Sequence, residues 1–229
     1  KTERLQDLDI DTFGFEDALE YGFENRGQVV TLNPEMVMNS KKNSELQTII
    51  NNAELVIPDG VGIEIGMKIL GKKVHRIAGI EYAKAMVKKY WENSLPIALI
   101  GAKQEVLELT AANLKKEFAG IKIVYAHNGF FDNDDIIKKS LKLSGAKLAL
   151  IALGSPKQEQ FIYELKKEMP ETLFIGVGGS FDVWSNKVER APEFYQKAGL
   201  EWLYRTVKEP ARFKRIFPTL PLFVLRVIK

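Results

Sequence analysis

Apolar runs alternate with amphipathic stretches through the middle of the chain. The runs have the length and continuity of buried strands, whereas the segments between them have apolar positions at helical spacing. The predicted strands are residues 96–100, 122–125, 147–153 and 172–177, and the predicted helices are residues 105–118, 134–144 and 158–168. This alternation predicts βαβ units around a buried, mostly parallel sheet. The predicted fold class is therefore α/β, with helices flanking the sheet.

The first third of the chain carries a less regular version of the same pattern. Residues 28–31 and 54–57 predict strands, residues 35–51 predict one or two helices, and helical spacing resumes at residues 62–70. Because the ligands of open α/β sheets bind beyond the carboxyl ends of the strands, we expect the functional side chains directly after these runs.

The end of the chain differs in character from the rest. Helical stretches in this region are interrupted by three prolines, Pro210, Pro218 and Pro221. This pattern predicts a small helical appendage and not a further βαβ unit. The predicted division is an α/β domain at residues 1–194 and an appendage at residues 195–229.

Composition narrows the class of protein. With 229 residues, of which 45% are hydrophobic, the chain can bury one substantial core, or one core with a small appendage. The absence of cysteine excludes disulfides and thiolate metal sites, and two histidines are too few for a histidine-rich metal site. Residues 1–9 lack the apolar core of a signal peptide, and no run approaches the roughly 20 apolar residues that span a bilayer. We therefore expect a cytoplasmic protein, either soluble or peripheral to a membrane.

Charge is divided unevenly along the chain. Residues 195–229 contain eight lysines and arginines and two glutamates, a net charge of +6, so the rest of the chain carries −3 of the total of +3. Such asymmetry suggests an anionic surface as a partner. Arg205, Arg212 and Arg215 would share one face of a continuous helix. Aromatic residues lie between these cations, which suits a lipid interface; stacking on single-stranded nucleic acid and ordinary packing of a terminal helix are the alternatives.

Two predicted strands of the first third end in polar residues. Thr31 and Asn33 are placed to hydrogen-bond a ligand, with helix capping as the alternative. Asp59 lies between Pro58 and Gly60, and the glycine lets a ligand approach the backbone closely. A carboxylate in this position is suited to take a proton from an attacking hydroxyl. The alternative for Asp59 is an ordinary turn.

Two further segments offer groups that bind anions. Arg76 precedes a predicted helix and is a candidate clamp for a diphosphate, with a surface salt bridge as the alternative. Gln158 lies in the sequence Gly-Ser-Pro-Lys-Gln-Glu at residues 154–159, which follows the most apolar strand and opens a helix. The start of this helix is a second candidate anion site.

A glycine cluster follows the strand at residues 172–177. Gly178 and Gly179 let a diphosphate or a ribose approach the backbone, and Asp182 is placed to accept a hydrogen bond from a hydroxyl. The glycine spacing fails the dinucleotide fingerprint, and the loop at residues 154–159 is not a P-loop. An NAD site is therefore disfavoured.

The sequence gives little support to a metal site or to a Ser-His-Asp catalytic triad. Residues 132–135, Asp-Asn-Asp-Asp, superficially offer the Asp-x-Asp element with which metal-dependent sugar transferases hold a nucleotide. Their place at the start of a polar helix favours capping instead. We therefore predict no required metal and no cofactor. Neither histidine lies in a setting that resembles a nucleophile elbow, so a Ser-His-Asp triad is dismissed.

Taken in order, these segments resemble the WecG/TagA/CpsF family of glycosyltransferases from about residue 29 to residue 217. Each segment is a weak signal alone, but the ordered set is highly specific. The matching segments are TLNPEMV at residues 31–37, PDGVG at 58–62, RIAG at 76–79, GSPKQE at 154–159, GVGGSFD at 176–182, RAP at 190–192, GLEWLYR at 199–205 and EP at 209–210.

The resemblance implies a Rossmann-like catalytic domain that transfers a sugar, with inversion, from a UDP-sugar to undecaprenyl-diphosphate-linked N-acetylglucosamine. It implies an N-acetylmannosaminyltransferase of wall teichoic acid or a related surface glycan, at the inner face of the plasma membrane. Relatives also use the uronic acid or glucose, so the donor sugar stays open. The implied site residues are the general base Asp59, the donor-binding Thr31, Asn33, Arg76 and Gln158, and three arginines of a membrane-docking appendage, Arg205, Arg212 and Arg215. We expect no nucleic acid partner, and the oligomeric state, a homo-oligomer included, is left open.

One departure from the family pattern is Asn186, where the family commonly has glycine. Asparagine tolerates left-handed backbone better than other non-glycine residues, so we expect the loop to keep its conformation. Two rival functions stay open. A non-catalytic membrane-binding or nucleic-acid-binding module leaves the strand-end residues without a role, and a nucleotide-dependent dehydrogenase is disfavoured by the glycine spacing.

Overall fold

The computed structural model describes residues 2–197, 201, 203–204 and 222–227. A six-stranded parallel sheet forms its centre, and a two-stranded antiparallel hairpin of β1 (Thr2–Leu5) and β2 (Leu8–Asp11) lies beside it. The strands of the sheet are β3 (Gly27–Leu32), β4 (Leu55–Pro58), β5 (Ile97–Gly101), β6 (Ile123–His127), β7 (Leu148–Ala152) and β8 (Leu173–Gly176). Their spatial order is β4-β3-β8-β7-β5-β6.

Helices connect the strands and follow the last of them. They are α1 (Phe15–Asn25), α2 (Pro34–Ser40), α3 (Ser44–Asn51), α4 (Val61–Ile69), α5 (Gly79–Glu92), α6 (Gln104–Glu117), α7 (Asp134–Ser144), α8 (Lys157–Glu168), α9 (Ser180–Trp184) and α10 (Glu193–Lys197). The predicted α/β class with a parallel sheet and flanking helices is confirmed. The predicted helical region at residues 35–51 is two helices, because the Asn43 side chain accepts a hydrogen bond from the Leu46 N–H (3.0 Å) and starts α3.

The sheet is covered by helices on both faces. Successive strand residues point to opposite faces, so Val29 joins the apolar cluster beneath α1, α5, α6 and α9, whereas Val30 joins the cluster beneath α2, α3 and α4. A third cluster lies between the sheet and the helices α7 and α8. The interior strands are therefore buried on both sides, which is why they read as continuous apolar runs.

The hairpin of β1 and β2 covers the outer edge of β4. Its apolar residues Leu5, Leu8 and Ile10 are buried in the cluster that contains Val56. Asp11 accepts a hydrogen bond from the Val56 N–H at 2.9 Å, and burial raises the pKa of its carboxyl, against the lowering effect of that bond. The sequence pattern did not reveal this hairpin, because strands of four residues show too few alternations.

Part of the predicted appendage packs against the α/β domain. Residues 222–227 are helical, and Phe223 and Val227 are buried in the same cluster as Ile63 and Met67 of α4. Helix α10 runs across the predicted boundary between residues 194 and 195, and the division into 1–194 and 195–229 stays a prediction. Within the described part of the chain, every helix is too short or too polar to cross a membrane.

Candidate active site

The predicted site residues of the α/β domain lie at the carboxyl edge of the sheet. Strands β4, β3, β8 and β7 are consecutive neighbours in the parallel sheet, so their carboxyl ends lie side by side. The end of β3, the loops that follow these strands and the first turn of α8 supply Thr31, Asn33, Asp59, Gln158 and the glycine cluster. The residues that the sequence pattern indicates therefore lie at the edge where open α/β sheets bind ligands, and their function stays a prediction.

Asp59 and Thr31 meet at the start of α5. The Asp59 N–H donates to the Leu32 carbonyl at 2.8 Å, which joins the ends of β3 and β4. A Cβ placed on Gly79, the first residue of α5, would lie 3.0 Å from Asp59 Oδ2 and 2.9 Å from Thr31 Cγ2. Glycine is required here because any side chain would displace one of these groups. The half-buried carboxylate thus lies beside the N-terminus of α5, whose N-cap residue, Ala78, makes no side-chain capping hydrogen bond.

Arg76 lies in the segment that leads into α5. The neighbouring Ile77 N–H donates to the Pro58 carbonyl at 2.9 Å, which holds this segment against the end of β4. The half-buried Arg76 donates from Nη2 to the Gln196 carbonyl in α10, also at 2.9 Å. The guanidinium therefore links the α5 entry to α10, and its predicted role as a diphosphate clamp stays a prediction.

Asn33 is a helix cap. Its side-chain oxygen accepts a hydrogen bond from the Met36 N–H at 3.0 Å and starts α2. The capping interpretation is confirmed for Asn33, and its contact with a substrate stays a prediction. Thr31 does not cap α2 in this way. Its hydroxyl donates a hydrogen bond to the Gly176 carbonyl in β8 at 3.4 Å.

Gln158 is buried beside the glycine cluster. Its side chain is 5% exposed, and its Oε1 accepts a hydrogen bond from the Gly178 N–H at 3.2 Å. Gly178 has a φ of +48°, a backbone conformation that favours glycine. Gln158 therefore supports the loop after β8. Sequence reasoning did not single out the next residue, Glu159, whose only signal was a charged residue at a position that the helical spacing buries.

Gly179 and Asp182 belong to the short helix that follows this loop. Gly179 is the N-cap residue of α9, and Asp182 lies in its first turn, half-buried. The Asp182 carbonyl accepts hydrogen bonds from the Val188 N–H (2.9 Å) and the Ser185 hydroxyl (3.0 Å), which closes the next turn. Asn186 in that turn has a φ of +60°, so the expected left-handed conformation is confirmed. The contacts of Gly179 and Asp182 with a ligand stay predictions.

Arg190 connects the α/β domain to the C-terminal region. Its guanidinium donates to Glu81 of α5 at 2.7 Å and to Glu201 at 3.2 Å. Burial disfavours its charged form, but the hydrogen bond to Glu81 and the attraction of Glu201 raise the pKa of Arg190 overall. The three arginines predicted to dock the lipid, Arg205, Arg212 and Arg215, lie outside the described residues.

The acidic segment at residues 132–135 is a helix start. Asn133 is the N-cap of α7, and its side chain accepts from the N–H groups of Asp135 and Ile136. The capping interpretation is therefore confirmed. Among the described residues, no group of three or more histidine, aspartate or glutamate side chains is arranged to hold a metal ion. Metal independence itself stays a prediction.

Known proteins resemble this one along nearly the whole chain. A sequence model of the glycosyl transferase WecG/TagA/CpsF family matches residues 4–229. The chain is 32% identical, over 230 aligned positions, to an N-acetylglucosaminyldiphosphoundecaprenol N-acetyl-beta-D-mannosaminyltransferase of Bacillus spizizenii. That match covers 99% of this chain and 89% of the relative. The parallel α/β sheet, the ordered motifs at its carboxyl edge and these two matches lead to one conclusion: the protein belongs to the WecG/TagA/CpsF family of glycosyl transferases.

Proposed function

We propose that the protein transfers N-acetylmannosamine from UDP-N-acetylmannosamine to the 4-hydroxyl of undecaprenyl-diphosphate-linked N-acetylglucosamine, with inversion at the anomeric carbon and without a metal. The observation that carries this proposal is the 32% identity, along 99% of the chain, to a relative that is named for the transfer of this sugar to this acceptor. The product would enter a wall teichoic acid linkage unit or a related surface glycan. The alternative donors are the N-acetylmannosamine uronic acid and glucose derivatives of UDP.

Asp59 is the general base of the proposed reaction. Its carboxylate takes the proton from the acceptor hydroxyl while the hydroxyl oxygen attacks the anomeric carbon from the face opposite UDP. The bond from the anomeric carbon to the β-phosphate oxygen breaks, and its electron pair stays on UDP. The placement of Asp59 supports this role, because the end of β4 and the start of α5 hold the carboxylate at the edge where the sheet binds ligands.

The start of α5 is suited to the leaving diphosphate. A helix N-terminus carries a partial positive charge and unpaired N–H groups, both of which stabilise an anion. Arg76 lies three residues before Gly79 and adds a full positive charge. In the proposal, Thr31, Gln158, the loop of Gly178 and Gly179, and Asp182 of α9 complete the donor site. Asn33 adds a contact from the start of α2.

The lipid diphosphate is assigned to the basic C-terminal region. Residues 195–229 carry a net charge of +6, to which Arg205, Arg212 and Arg215 contribute. Positive charge near anionic headgroups favours binding at a membrane surface. We therefore place the reaction at the inner face of the plasma membrane, with the protein peripheral to it.

The test is release of UDP from a panel of UDP-sugars, with a lipid-diphosphate-linked N-acetylglucosamine acceptor in liposomes and with EDTA present. Release that depends on the acceptor and is fastest with UDP-N-acetylmannosamine is the expected result. If another UDP-sugar is preferred, the proposed donor is wrong and the proposed reaction stands. If EDTA abolishes UDP release, the proposed metal independence is wrong. No release with any donor, from folded protein, would overturn the proposal.

Replacement of the base provides a second, sharper test. Asp59→Asn is expected to lower kcat by about 100-fold to 10,000-fold, the usual contribution of a general base, while the KM for the donor changes little. The matched control is Asp132→Asn, the same change in an exposed position at the opposite end of the sheet's strand order. Wild-type turnover by folded Asp59→Asn would remove this residue from the mechanism.

A further inference from the structure

Glu159 is a carboxyl buried in the protein interior. It follows Gln158 in the first turn of α8, and its side chain is 2% exposed. Oε1 accepts a hydrogen bond from Gln158 Nε2 at 2.7 Å, whereas Oε2 has no hydrogen-bond partner among the described residues. A buried acceptor without a partner loses its hydration without compensation. An apolar residue would suit this position better if packing were its only task.

The backbone around Glu159 is firmly held. Its carbonyl accepts a hydrogen bond from Gln28 Nε2 in β3 at 3.2 Å. The Gln28 N–H in turn donates to Glu54 Oε2 at 2.6 Å. The main chain at Glu159 is therefore held against β3. Residues that break a local packing rule in a well-ordered setting often serve the functional site.

The contact of Glu159 decides which way the Gln158 amide faces. An amide has a donor end and an acceptor end, and Glu159 Oε1, which is an acceptor both in the carboxylate and in the acid protonated on Oε2, takes a hydrogen bond only from the donor end. With Nε2 toward Glu159, the Gln158 oxygen faces the Gly178 N–H, from which it accepts a hydrogen bond at 3.2 Å. The flipped amide would set its NH₂ group against that N–H and its oxygen against the carboxyl, so both contacts would be lost.

Gly176, the last residue of β8, leaves room for the Gln158 amide in this orientation. A Cβ on Gly176 would lie 2.7 Å from Gln158 Nε2, closer than a carbon atom can approach. The Gly176 carbonyl is also the acceptor of the Thr31 hydroxyl. Glu159, Gln158 and the loop after β8 thus form one continuous set of contacts that reaches the strand end next to Asp59.

We propose that Glu159 is a positioning residue of the donor site, which holds the Gln158 amide in the single orientation that supports the Gly178 loop. Through that loop it shapes the part of the donor site that lies after β8. This inference rests on the proposed function, because it assumes that the loop after β8 binds the donor.

The test compares two replacements of Glu159. Glu159→Met fills a similar volume without an acceptor, whereas Glu159→Gln keeps a carbonyl oxygen that can accept from Gln158. We expect Glu159→Met to raise the KM for the UDP-sugar about tenfold and to change kcat less than about threefold, the effect of losing one hydrogen bond that acts in donor binding. Glu159→Gln is expected to recover most of that loss. The matched control is Glu164→Gln on the exposed side of the same helix, where the side chain is 61% exposed.

A double-mutant cycle separates positioning from a general structural role. If Glu159 acts through Gln158, adding Glu159→Met to Gln158→Ala raises the KM no further. Gly176→Ala is expected to raise the KM in the same way, because its methyl group would displace the Gln158 amide. This variant tests the inference even if Glu159→Met does not fold.

Three results would overturn the inference. They are additive losses in the cycle, an unchanged KM in Glu159→Met or Gly176→Ala, and a loss of kcat and thermal stability together without a change in KM. A folded wild-type protein that releases no UDP from any donor would overturn the proposed function and this inference with it. An active wild type with an unaltered Glu159→Met variant would overturn the role of Glu159 alone.

Discussion

At the scale of single residues, the site depends on spaces that glycine leaves and on the direction of a few hydrogen bonds. Gly79 lets Thr31 and the Asp59 carboxylate approach the first turn of α5, and Gly176 lets the Gln158 amide lie against β8. Neither glycine has a left-handed φ, so steric room and not backbone freedom is what each provides. The role of such a glycine can therefore be tested with a single methyl group.

Gly79→Ala is expected to lower activity without loss of the fold. Alanine favours a helix, but its Cβ would lie 3.0 Å from Asp59 Oδ2 and 2.9 Å from Thr31 Cγ2, so the base is displaced. Small misplacements of catalytic groups cost about 10-fold to 100-fold in rate. The measurement is kcat together with the melting temperature. Gly14→Ala is the control, since its Cβ would meet only Asp17, at 3.8 Å; equal rates in both variants would contradict the prediction.

Glu159 is expected to make the free energy of unfolding depend on pH. Burial raises the pKa of its carboxyl above the ordinary value of 4.5, while the hydrogen bond from Gln158 acts in the opposite direction. The folded state therefore binds this proton more tightly than the unfolded state, so the stability contributed by the protonated form is lost as the pH rises through the folded pKa. Glu159→Gln cannot titrate and avoids that loss.

The free energy of unfolding of Glu159→Gln, relative to wild type, is thus expected to rise as the pH increases from about 4.5 toward neutrality. Urea unfolding at several pH values measures this difference. Glu164→Gln in the same helix serves as the control for removal of a carboxyl. A difference that stays constant over the range would contradict the burial of a titrating group at this position.

At the scale of elements, strand ends and helix starts carry the site, and asparagine caps set several of those starts. Asn33, Asn43 and Asn133 each accept a main-chain N–H and begin α2, α3 and α7. The helix start beside Asp59 differs from these three, because its N-cap residue is Ala78, whose side chain makes no capping hydrogen bond. The helices α1, α4, α6, α8 and α9 also begin without a side-chain cap from the N-cap residue, and the proposed reaction assigns the start of α5 to an anion because it lies beside Asp59 and Thr31.

The helical segment at residues 222–227 is an element whose attachment can be measured. Phe223 is fully buried, and its ring packs where a Cβ on Gly66 of α4 would meet it at 2.9 Å. Phe223→Ala is therefore expected to lower the free energy of unfolding by about 3 to 5 kcal/mol. Leu222→Ala, at a side chain that is 50% exposed, is expected to change it by less than about 0.5 kcal/mol. Urea unfolding that gives equal values for the two would show that the segment does not pack as described.

At the scale of the whole molecule, the C-terminal region and the rest of the chain differ in net charge. The +6 of residues 195–229 contrasts with the −3 of the remainder, a division that favours one orientation at an anionic surface. Arg190 joins the two parts through Glu81 and Glu201. A protein arranged in this way is expected to bring its carboxyl sheet edge to a lipid-linked substrate by electrostatic attraction.

Binding to vesicles that contain phosphatidylglycerol tests this arrangement. Replacing Arg205, Arg212 and Arg215 together with glutamine is expected to weaken binding by about 100-fold, since each basic residue at an anionic membrane contributes about 1 kcal/mol. Added salt is expected to weaken wild-type binding as well, because it screens the charges. The control removes three exposed charges from the body, Lys115, Lys116 and Lys139. Equal binding by both triple variants, measured by co-sedimentation, would contradict the prediction.

The sequence by itself determined the fold class, the parallel sheet and the strand ends at which the site lies. Buried parallel strands must be apolar on both faces, so they stand out as continuous runs, and the family motifs fall where those runs end. The pattern did not predict the hairpin of β1 and β2 or the helices α9 and α10, because elements of four or five residues carry too few periodic positions. Helix α1 was missed as well, although its 11 residues equal the length of α7.

Only the tertiary structure decided which of these residues meet. Thr31, Asp59 and Gly79 are far apart in the chain, and their proximity follows from the pairing of β3 with β4 and the return of the chain at α5. The buried position of Glu159 likewise depends on the packing of α8 against β3 and β8. Periodicity reports which face of an element is apolar, but long-range packing decides what that face touches.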